Sequence, residues 1–188
     1  MDDEKELIQK CIDGDRYAMK QIFQKHFGKT MTICLRYIDG NENAQDIAQE
    51  VMIKVFDHIK EFKFQSSLST WVTRIAINQC INFINKKNIF VSIKDHEKYS
   101  ENIYIEEEDL KPEVNSDYII EQIQKLPTGY RTVLNLYAIE NYTHNQIAQT
   151  LGISEGTSKS QLSKARQMLK KMVSNHTPTI VKTTSEKE

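Results

Sequence analysis

The fold is decided by the stretch from residue 143 to residue 166, THNQIAQTLGISEGTSKSQLSKAR. Thr143 and Gln146 have the spacing of a capping box, which predicts the start of a helix. Gly152, between two apolar residues, can adopt positive φ and end that helix, and Ser154 can cap the next one. A short helix, a glycine turn and a capped second helix together predict a helix-turn-helix.

The second helix of this motif carries a local excess of positive charge. From Ser154 to Met172 the only acidic residue is Glu155, and the basic residues are Lys159, Lys164, Arg166, Lys170 and Lys171. Helical spacing predicts an inward face of Leu162, Ala165 and Leu169. The predicted outer surface consists of Lys159, Ser160, Gln161, Ser163, Lys164 and Arg166. A charge run is usually a solvated face, but one on a capped helix-turn-helix favours a helix that reads DNA.

Composition indicates a helical chain without an overall positive charge, so that any binding to nucleic acid must depend on local basic patches. The 188 residues include 6 glycines and 3 prolines, too few for the turns of a β-sandwich or barrel. With 25 Lys+Arg against 26 Asp+Glu, the formal net charge is -1. Strong unaided binding to nucleic acid normally needs a basic excess. Any DNA function would therefore depend on local basic patches and on a larger partner that brings the chain to the duplex.

The sequence gives no reason to expect a membrane, metal or cofactor site. No stretch approaches the roughly 18 apolar residues of a membrane span, and the N-terminus is acidic where a secretory signal would be basic and then apolar. We therefore expect a cytoplasmic protein. Cys11, Cys34 and Cys80 lie far apart in apolar patterns, which predicts buried thiols rather than a disulfide framework or a zinc site.

Two helical domains are predicted on either side of an acidic linker. Apolar residues recur at helical spacing from Leu7 to about Asn85 and again from Ile119 to about Val173. The run from Ile105 to Pro112 has the composition of a solvated linker. The predicted boundaries are 1–90 for the first domain, 91–115 for the linker, 116–173 for the second domain and 174–188 for a disordered tail. The expected fold class is all-α.

The first domain contains a second informative segment, residues 62–85. A serine-rich loop leads into a helix that Ser67 or Ser69 can cap. On that helix Arg74, Asn78, Asn82 and Asn85 form one polar stripe. Asparagine is unfavourable in a helix, but its amide suits base edges. Phe62, Phe64 and Trp71 lie beside the stripe with Lys63, Lys86 and Lys87, and the set resembles a surface that reads single strands. The alternative is that the three aromatic residues are core and the asparagines are merely solvated.

These motifs together resemble the extracytoplasmic-function (ECF) group of the sigma-70 type bacterial transcription initiation factors. In the first domain the resemblance depends on residues 46–56, DIAQEVMIKVF, and 67–78, SLSTWVTRIAIN. In the second it depends on Leu126-Pro127, on the helix from Thr143 to Leu151, and on residues 152–157, GISEGT. No single motif is unique, but their order across an acidic linker is specific and covers nearly the whole chain.

The resemblance implies a non-enzymatic protein that directs promoter recognition, promoter melting and transcription initiation for a stress- or signal-responsive set of genes. Its implied partners are core RNA polymerase, promoter DNA as duplex and as melted non-template strand, and an anti-sigma factor. The implied polymerase-binding residues are Asp46, Gln49, Glu50 and Lys54. Those for the minus-ten element are Lys63, Ser66, Ser67, Trp71, Arg74, Asn78 and Asn82, with Asn78 at the captured base and Trp71 supporting the loop. Those for the minus-thirty-five element are Thr157, Lys159, Ser160, Gln161, Ser163 and Lys164.

The sequence departs from the family pattern at three positions. Many relatives have an aliphatic residue at Ser158 and a basic one at Gln161. Asn141 stands where glycine is common, although asparagine tolerates positive φ.

Two other classes of function are less consistent with the sequence. The helix-turn-helix also resembles that of two-component response regulators, which bind operators as dimers, but the first domain lacks a strand-helix alternation. An enzyme is disfavoured because His58 and Glu61 share a helix face without any accompanying catalytic motif.

Overall fold

The computed structural model describes residues 2–86 and 116–174, and within them the chain is all-α. In the first group of helices the elements are α1 (Asp2–Ile12), α2 (Arg16–Tyr37), α3 (Asn41–His58), a 3-10 turn (Ile59–Glu61) and α4 (Leu68–Lys86). In the second they are α5 (Ser116–Gln124), α6 (Thr128–Leu134), a π-helical turn (Asn135–Ile139), α7 (His144–Leu151) and α8 (Glu155–Ser174). The predicted two helical domains are therefore confirmed.

The first domain is built around α2, which packs against α1, α3 and α4. Asp15 is the N-cap of α2, because its carboxylate accepts the backbone N–H groups of Tyr17 at 2.7 Å and Ala18 at 3.2 Å. The spacing of Asn43 and Asp46 in the sequence favours Asn43 as the N-cap of α3. The helix begins earlier, at Asn41 after Gly40, which has a φ of 80°. Asn43 instead donates to the carbonyl of Asp39 at 2.9 Å.

The second domain contains the helix-turn-helix that the sequence predicted. The capping box at Thr143 is complete, since its hydroxyl accepts the N–H of Gln146 at 3.2 Å and its own N–H donates to that glutamine's side chain at 2.8 Å. Gly152 ends α7 with a φ of 65°, and Ser154 accepts the N–H of Thr157 at 2.9 Å at the start of α8. Asn141 has a φ of 58°, as expected for a substitute for glycine in a turn.

The two domains contact each other at the C-terminal end of α2. Arg131 of α6 is fully buried, and its Nη1 lies 2.6 Å from Oδ1 of Asp39, just beyond α2. Nη2 of Arg36 lies 3.1 Å from Oε1 of Glu140, and both of these side chains are only 13% exposed. Each domain thus contributes one arginine to an ion pair with the other.

Side chains of the second domain also bind the last carbonyls of α2. Asn135 Nδ2 donates to the carbonyl of Arg36 at 2.7 Å, and Gln124 Nε2 donates to that of Leu35 at 3.0 Å. The last four carbonyls of any helix lack intrahelical partners, so the second domain caps α2. Sequence patterns did not indicate this contact, since the paired residues lie 89 and 99 positions apart.

The remaining sequence expectations concern the cysteines, the linker and the tail. Cys11, Cys34 and Cys80 are buried free thiols, as predicted, and the sulfur atoms of Cys34 and Cys80 lie 3.8 Å apart. The predicted linker, 91–115, and residues 175–188 of the predicted tail lie outside the described residues, and the exact domain boundaries stay predictions. Among the helices of the described residues, none is long and apolar enough to cross a membrane.

Candidate nucleic-acid interface

The polar stripe of α4 lies on the surface. Arg74, Asn78, Asn82 and Asn85 are all exposed, while Val72, Ala76, Cys80 and Ile84 on the opposite side of the helix are buried. The helix therefore presents amide donors and acceptors to solvent, and its apolar face packs against the core. The structure places the stripe where an extended ligand can reach all of it.

The three aromatic residues beside this stripe divide between core and surface. Phe62 is buried and Trp71 is half-buried, with their ring centroids 5.4 Å apart. The core interpretation therefore holds for these two residues, and Trp71 is placed to support the loop. Phe64 differs: its ring is 48% exposed, and its centroid lies 4.9 Å from that of Phe62. An aromatic row thus runs from the core to the surface of the loop.

Ser67, not Ser69, caps α4. Its hydroxyl accepts the backbone N–H of Thr70 at 3.1 Å and lies 2.9 Å from that residue's Oγ1. Ser69 instead accepts a hydrogen bond from Nζ of Lys29 at 3.0 Å. In the same loop Lys63 is exposed and Ser66 is half-buried. The predicted minus-ten residues of the loop are therefore reachable, although the Ser67 oxygen is already engaged in capping.

The residues implied to bind polymerase lie on α3 next to the α4 stripe. Asp46, Gln49, Glu50 and Lys54 are all exposed. Two of them are bridged by Gln79 of α4, a contact that no local sequence pattern indicates. Lys54 Nζ donates to Oε1 of Gln79 at 2.6 Å, and Gln79 Nε2 donates to Oε2 of Glu50 at 2.6 Å. Ile53 is 60% exposed on the same helix. At helical spacing Ile53 lies on the same side of α3 as Asp46, Gln49 and Glu50. A pattern of polar residues gives no signal for this apolar residue.

The outer surface of α8 agrees with the sequence prediction at every proposed residue except Gln161. Lys159 is exposed, whereas Thr157, Ser160, Ser163 and Lys164 are half-buried. Gln161 is only 2% exposed, so its predicted place on the outer surface is wrong. The physical reason is helical geometry, because Ser158, Gln161, Leu162 and Ala165 share one face at spacings of three and four and all are buried. Neither amide atom of Gln161 has a hydrogen-bond partner among the described residues.

An aromatic and cationic cluster lies between the π-helical turn and α8. The ring of His144 stacks on that of Tyr137 with centroids 4.6 Å apart, and the guanidinium of Arg166 lies 5.6 Å from the Tyr137 centroid. His144 Nδ1 lies 2.9 Å from the hydroxyl of Ser158. Burial, followed by the charge of Lys159, lowers the pKa of His144. The Tyr137 ring thus positions Arg166 through a cation–π contact. The sequence gives no signal for this contact, because His144, Tyr137 and Arg166 come from three different elements.

Comparison with known proteins assigns both domains. The family description "Sigma-70 region 2" matches residues 22–89, and "Sigma-70, region 4" matches residues 116–169. The ECF RNA polymerase sigma factor SigW of Bacillus subtilis is 30% identical over 90% of this chain and 96% of its own. The ECF RNA polymerase sigma-E factor of Haemophilus influenzae is 25% identical over 89% of this chain and 93% of its own.

Among solved structures, a similar chain is the sigma factor RpoE in complex with the anti-sigma factor NepR, from Bartonella quintana. The match has 19% sequence identity and a TM-score of 0.49, and it covers 82% of this chain and 96% of that one.

Two sigma-70 regions in this order define an RNA polymerase sigma factor, a DNA-binding protein of transcription initiation. The chain belongs to the ECF group of the sigma-70 family. The resemblance seen in the sequence is therefore confirmed at the level of the family, while the role of each residue stays a prediction.

Proposed function

We propose that this sigma factor reads a promoter with two chemically different surfaces, one on each domain. The observation that carries the proposal is the exposed stripe of α4, where Arg74, Asn78 and Asn82 lie in one row beside the aromatic loop. Uncharged amides match base edges, and rings match base faces. Base edges are also accessible in the grooves of a duplex, but base faces are exposed only after the duplex melts. The α4 surface would therefore capture the melted non-template strand of the minus-ten element.

The second surface is the exposed side of α8, which would read the minus-thirty-five element as duplex. Lys159, Ser160 and Lys164 are the proposed contacts, together with Thr157 and Ser163. Gln161 is left out of this set because its amide is buried. A helix of a helix-turn-helix enters the major groove, where lysines neutralise phosphates and hydroxyls reach base edges. From Ser154 to Met172 the five basic residues exceed the one acidic residue by four. Four phosphate contacts would give a salt slope of only about -3.6, so we expect weak binding by the isolated chain.

Core RNA polymerase would bind the exposed side of α3. Asp46, Gln49 and Glu50 supply polar contacts there, Lys54 lies one turn further on, and Ile53 adds an apolar contact. The bridge through Gln79 ties this surface to α4. Binding of polymerase on α3 would thereby hold the minus-ten surface in a fixed position beside it. The near-neutral formal charge of -1 supports this dependence on a large partner.

The place of action and the restraining partner follow from membership of the ECF group. We infer that the chain acts in the cytoplasm, where RNA polymerase is, and that it acts by binding rather than by catalysis. We also infer that an anti-sigma factor restrains it until a stress or external signal arrives. The open side of α3 and the α4 stripe are surfaces that such a protein would cover.

Transcription in vitro with purified core polymerase tests the main proposal. We expect permanganate-reactive thymines at the minus-ten element only when chain and polymerase are both present. The isolated chain should bind the same duplex weakly. Tight binding of the isolated chain as a symmetrical dimer, indifferent to polymerase, would instead identify an operator-binding regulator and end the initiation proposal.

A further inference from the structure

We propose that Phe64 is a stacking platform on which a base of the melted non-template strand lies. The proposal deepens the proposed function of the α4 surface and rests on it. Phe64 is not among the residues that the family resemblance implies for the minus-ten element. Its case depends on its backbone conformation, its ring contacts and its surroundings.

The backbone of Phe64 is in the left-handed region, with a φ of 55°. Among the described residues, the other non-glycine with positive φ is Asn141, and asparagine tolerates this conformation whereas a bulky aromatic residue does not. Glycine or asparagine would fit the loop without strain. Residues held in strained conformations cluster at binding sites, where the strain aims a side chain.

The Phe64 ring is anchored on one side and bare on the other. It meets Phe62 at a centroid distance of 4.9 Å and an interplanar angle of 57°, and Phe62 in turn meets Trp71 at 5.4 Å and 50°. Phe62 is 8% exposed, whereas Phe64 is 48% exposed. The buried ring of Phe62, itself packed against Trp71, therefore holds the exposed ring in place. A ring fixed in advance loses little conformational entropy when a ligand stacks on it.

The surroundings of Phe64 favour a nucleobase over an apolar partner. Its neighbours along the chain, Lys63 and Gln65, are exposed, so polar and charged groups flank the ring. Lys63 can neutralise the phosphate next to a stacked base. A duplex presents only base edges in its grooves, so a bare ring at this point can accept a base only from a melted strand.

The experiment compares three substitutions at Phe64 in the complete complex with core polymerase. Phe64→Asn suits the positive φ and removes the ring, Phe64→Leu keeps apolar bulk without an aromatic face, and Phe64→Tyr keeps the ring. Phe23→Leu is the control, because Phe23 is also an exposed phenylalanine, 37% exposed, stacked on another ring. Opening is followed by the fluorescence of 2-aminopurine in the minus-ten element, and polymerase affinity is measured separately.

We expect the Asn and Leu variants to lower the amount of open complex by about 5-fold or more, the loss of one base-aromatic stack. The Tyr variant and the Phe23→Leu control should match the wild-type chain. Polymerase affinity and the thermal unfolding midpoint should not fall. On a template that is already melted at the minus-ten element the loss should persist, because the platform holds the captured base rather than forcing the duplex apart.

Several results would overturn this assignment. Wild-type opening in the Asn and Leu variants would show that the ring does not contact the strand, and rescue by the melted template would show a wedge instead of a platform. An equal loss of polymerase affinity would move Phe64 to the polymerase interface. Failure of the proposed function is distinguishable from all of these, because then the wild-type chain itself opens no promoter with polymerase.

Discussion

The α4 surface and the α8 surface differ in charge and in how their polar groups are held. On α4 the exposed row joins one charged residue, Arg74, to the uncharged amides of Asn78 and Asn82, and the aromatic loop lies beside it. On α8 the exposed side is basic, and Arg166 lies over a tyrosine ring. The difference agrees with the two proposed ligands, because a melted strand offers base faces and edges, whereas a duplex offers mainly phosphates. In this proposal the more basic surface is the one that binds duplex.

Asn78→Ala is the strongest test of the α4 half of this comparison. The loss of paired base contacts should reduce open-complex formation by roughly 5- to 150-fold, equivalent to about 1–3 kcal/mol. Polymerase affinity should be unchanged. Gln24→Ala, an exposed amide on α2, is the matched control and should leave opening intact. If Asn78→Ala weakens polymerase binding and opening equally, the division between α3 and α4 is wrong.

Lys159→Ala tests the α8 half and should have a smaller effect on affinity. Loss of one phosphate contact should weaken duplex binding uniformly across sequences and reduce the salt slope by about 1. The measurement is holoenzyme affinity for upstream duplex at several salt concentrations. Lys20→Ala on α2 removes an exposed lysine elsewhere and should leave the slope unchanged. A change in melting without a change in slope would contradict the assignment of α8 to duplex.

Gln161→Leu separates the buried face of α8 from its exposed side. Leucine has a similar size and removes a buried amide without partners, so we expect the free energy of unfolding to rise by about 1 kcal/mol. Duplex affinity should stay unchanged. Gln167→Leu, at a half-buried position on the same helix, is the comparison and should give no such gain. Weaker binding in the Gln161 variant would restore the original prediction that this residue reads DNA.

Acid should destabilise both domains through one histidine in each, but the first domain more. Burial, followed by the charge of Lys25, lowers the pKa of His26, and burial also lowers that of His144. Because each folded-state pKa lies below the unfolded value of about 6.5, the unfolded state binds more protons below that pH. Stability is then complete above about pH 6.5 and falls as the pH drops through the lowered values.

Urea unfolding at pH 7.5 and 5.5 measures this loss. His26 is 4% exposed and His144 is half-buried, so His26→Gln should remove more of the pH dependence than His144→Gln. If the free energy of unfolding changes equally between the two pH values in the wild type and both variants, other groups govern the loss of stability in acid.

Local features were predictable from the sequence because their causes lie within a few residues. The capping box at Thr143, the turn at Gly152 and the cap at Asp15 each depend on neighbours up to three positions away. The buried position of Gln161 follows from helical phase and not from residue type. A polar side chain favours solvent, but this position falls beside Leu162 on the inner face of α8.

Features made by distant residues could not be predicted. The pair of Arg131 and Asp39 and the pair of Arg36 and Glu140 depend on how two domains meet, which no local pattern encodes. The same holds for the exposure of Phe64, since Phe62 two positions earlier is buried. Family motifs indicated which segments bind DNA, but only the three-dimensional arrangement shows which of their rings are bare.

The contact between the two domains at the end of α2 limits how far apart on DNA the two proposed binding surfaces can lie. The two promoter elements are centred about 25 base pairs apart, or about 85 Å along B-DNA. A single compact body of 188 residues has a radius of gyration of about 16 Å. The molecule with its arginine pairs closed is therefore too short to touch both elements at once. Simultaneous contact with both promoter elements would thus require the pairs of Arg36 with Glu140 and of Arg131 with Asp39 to separate.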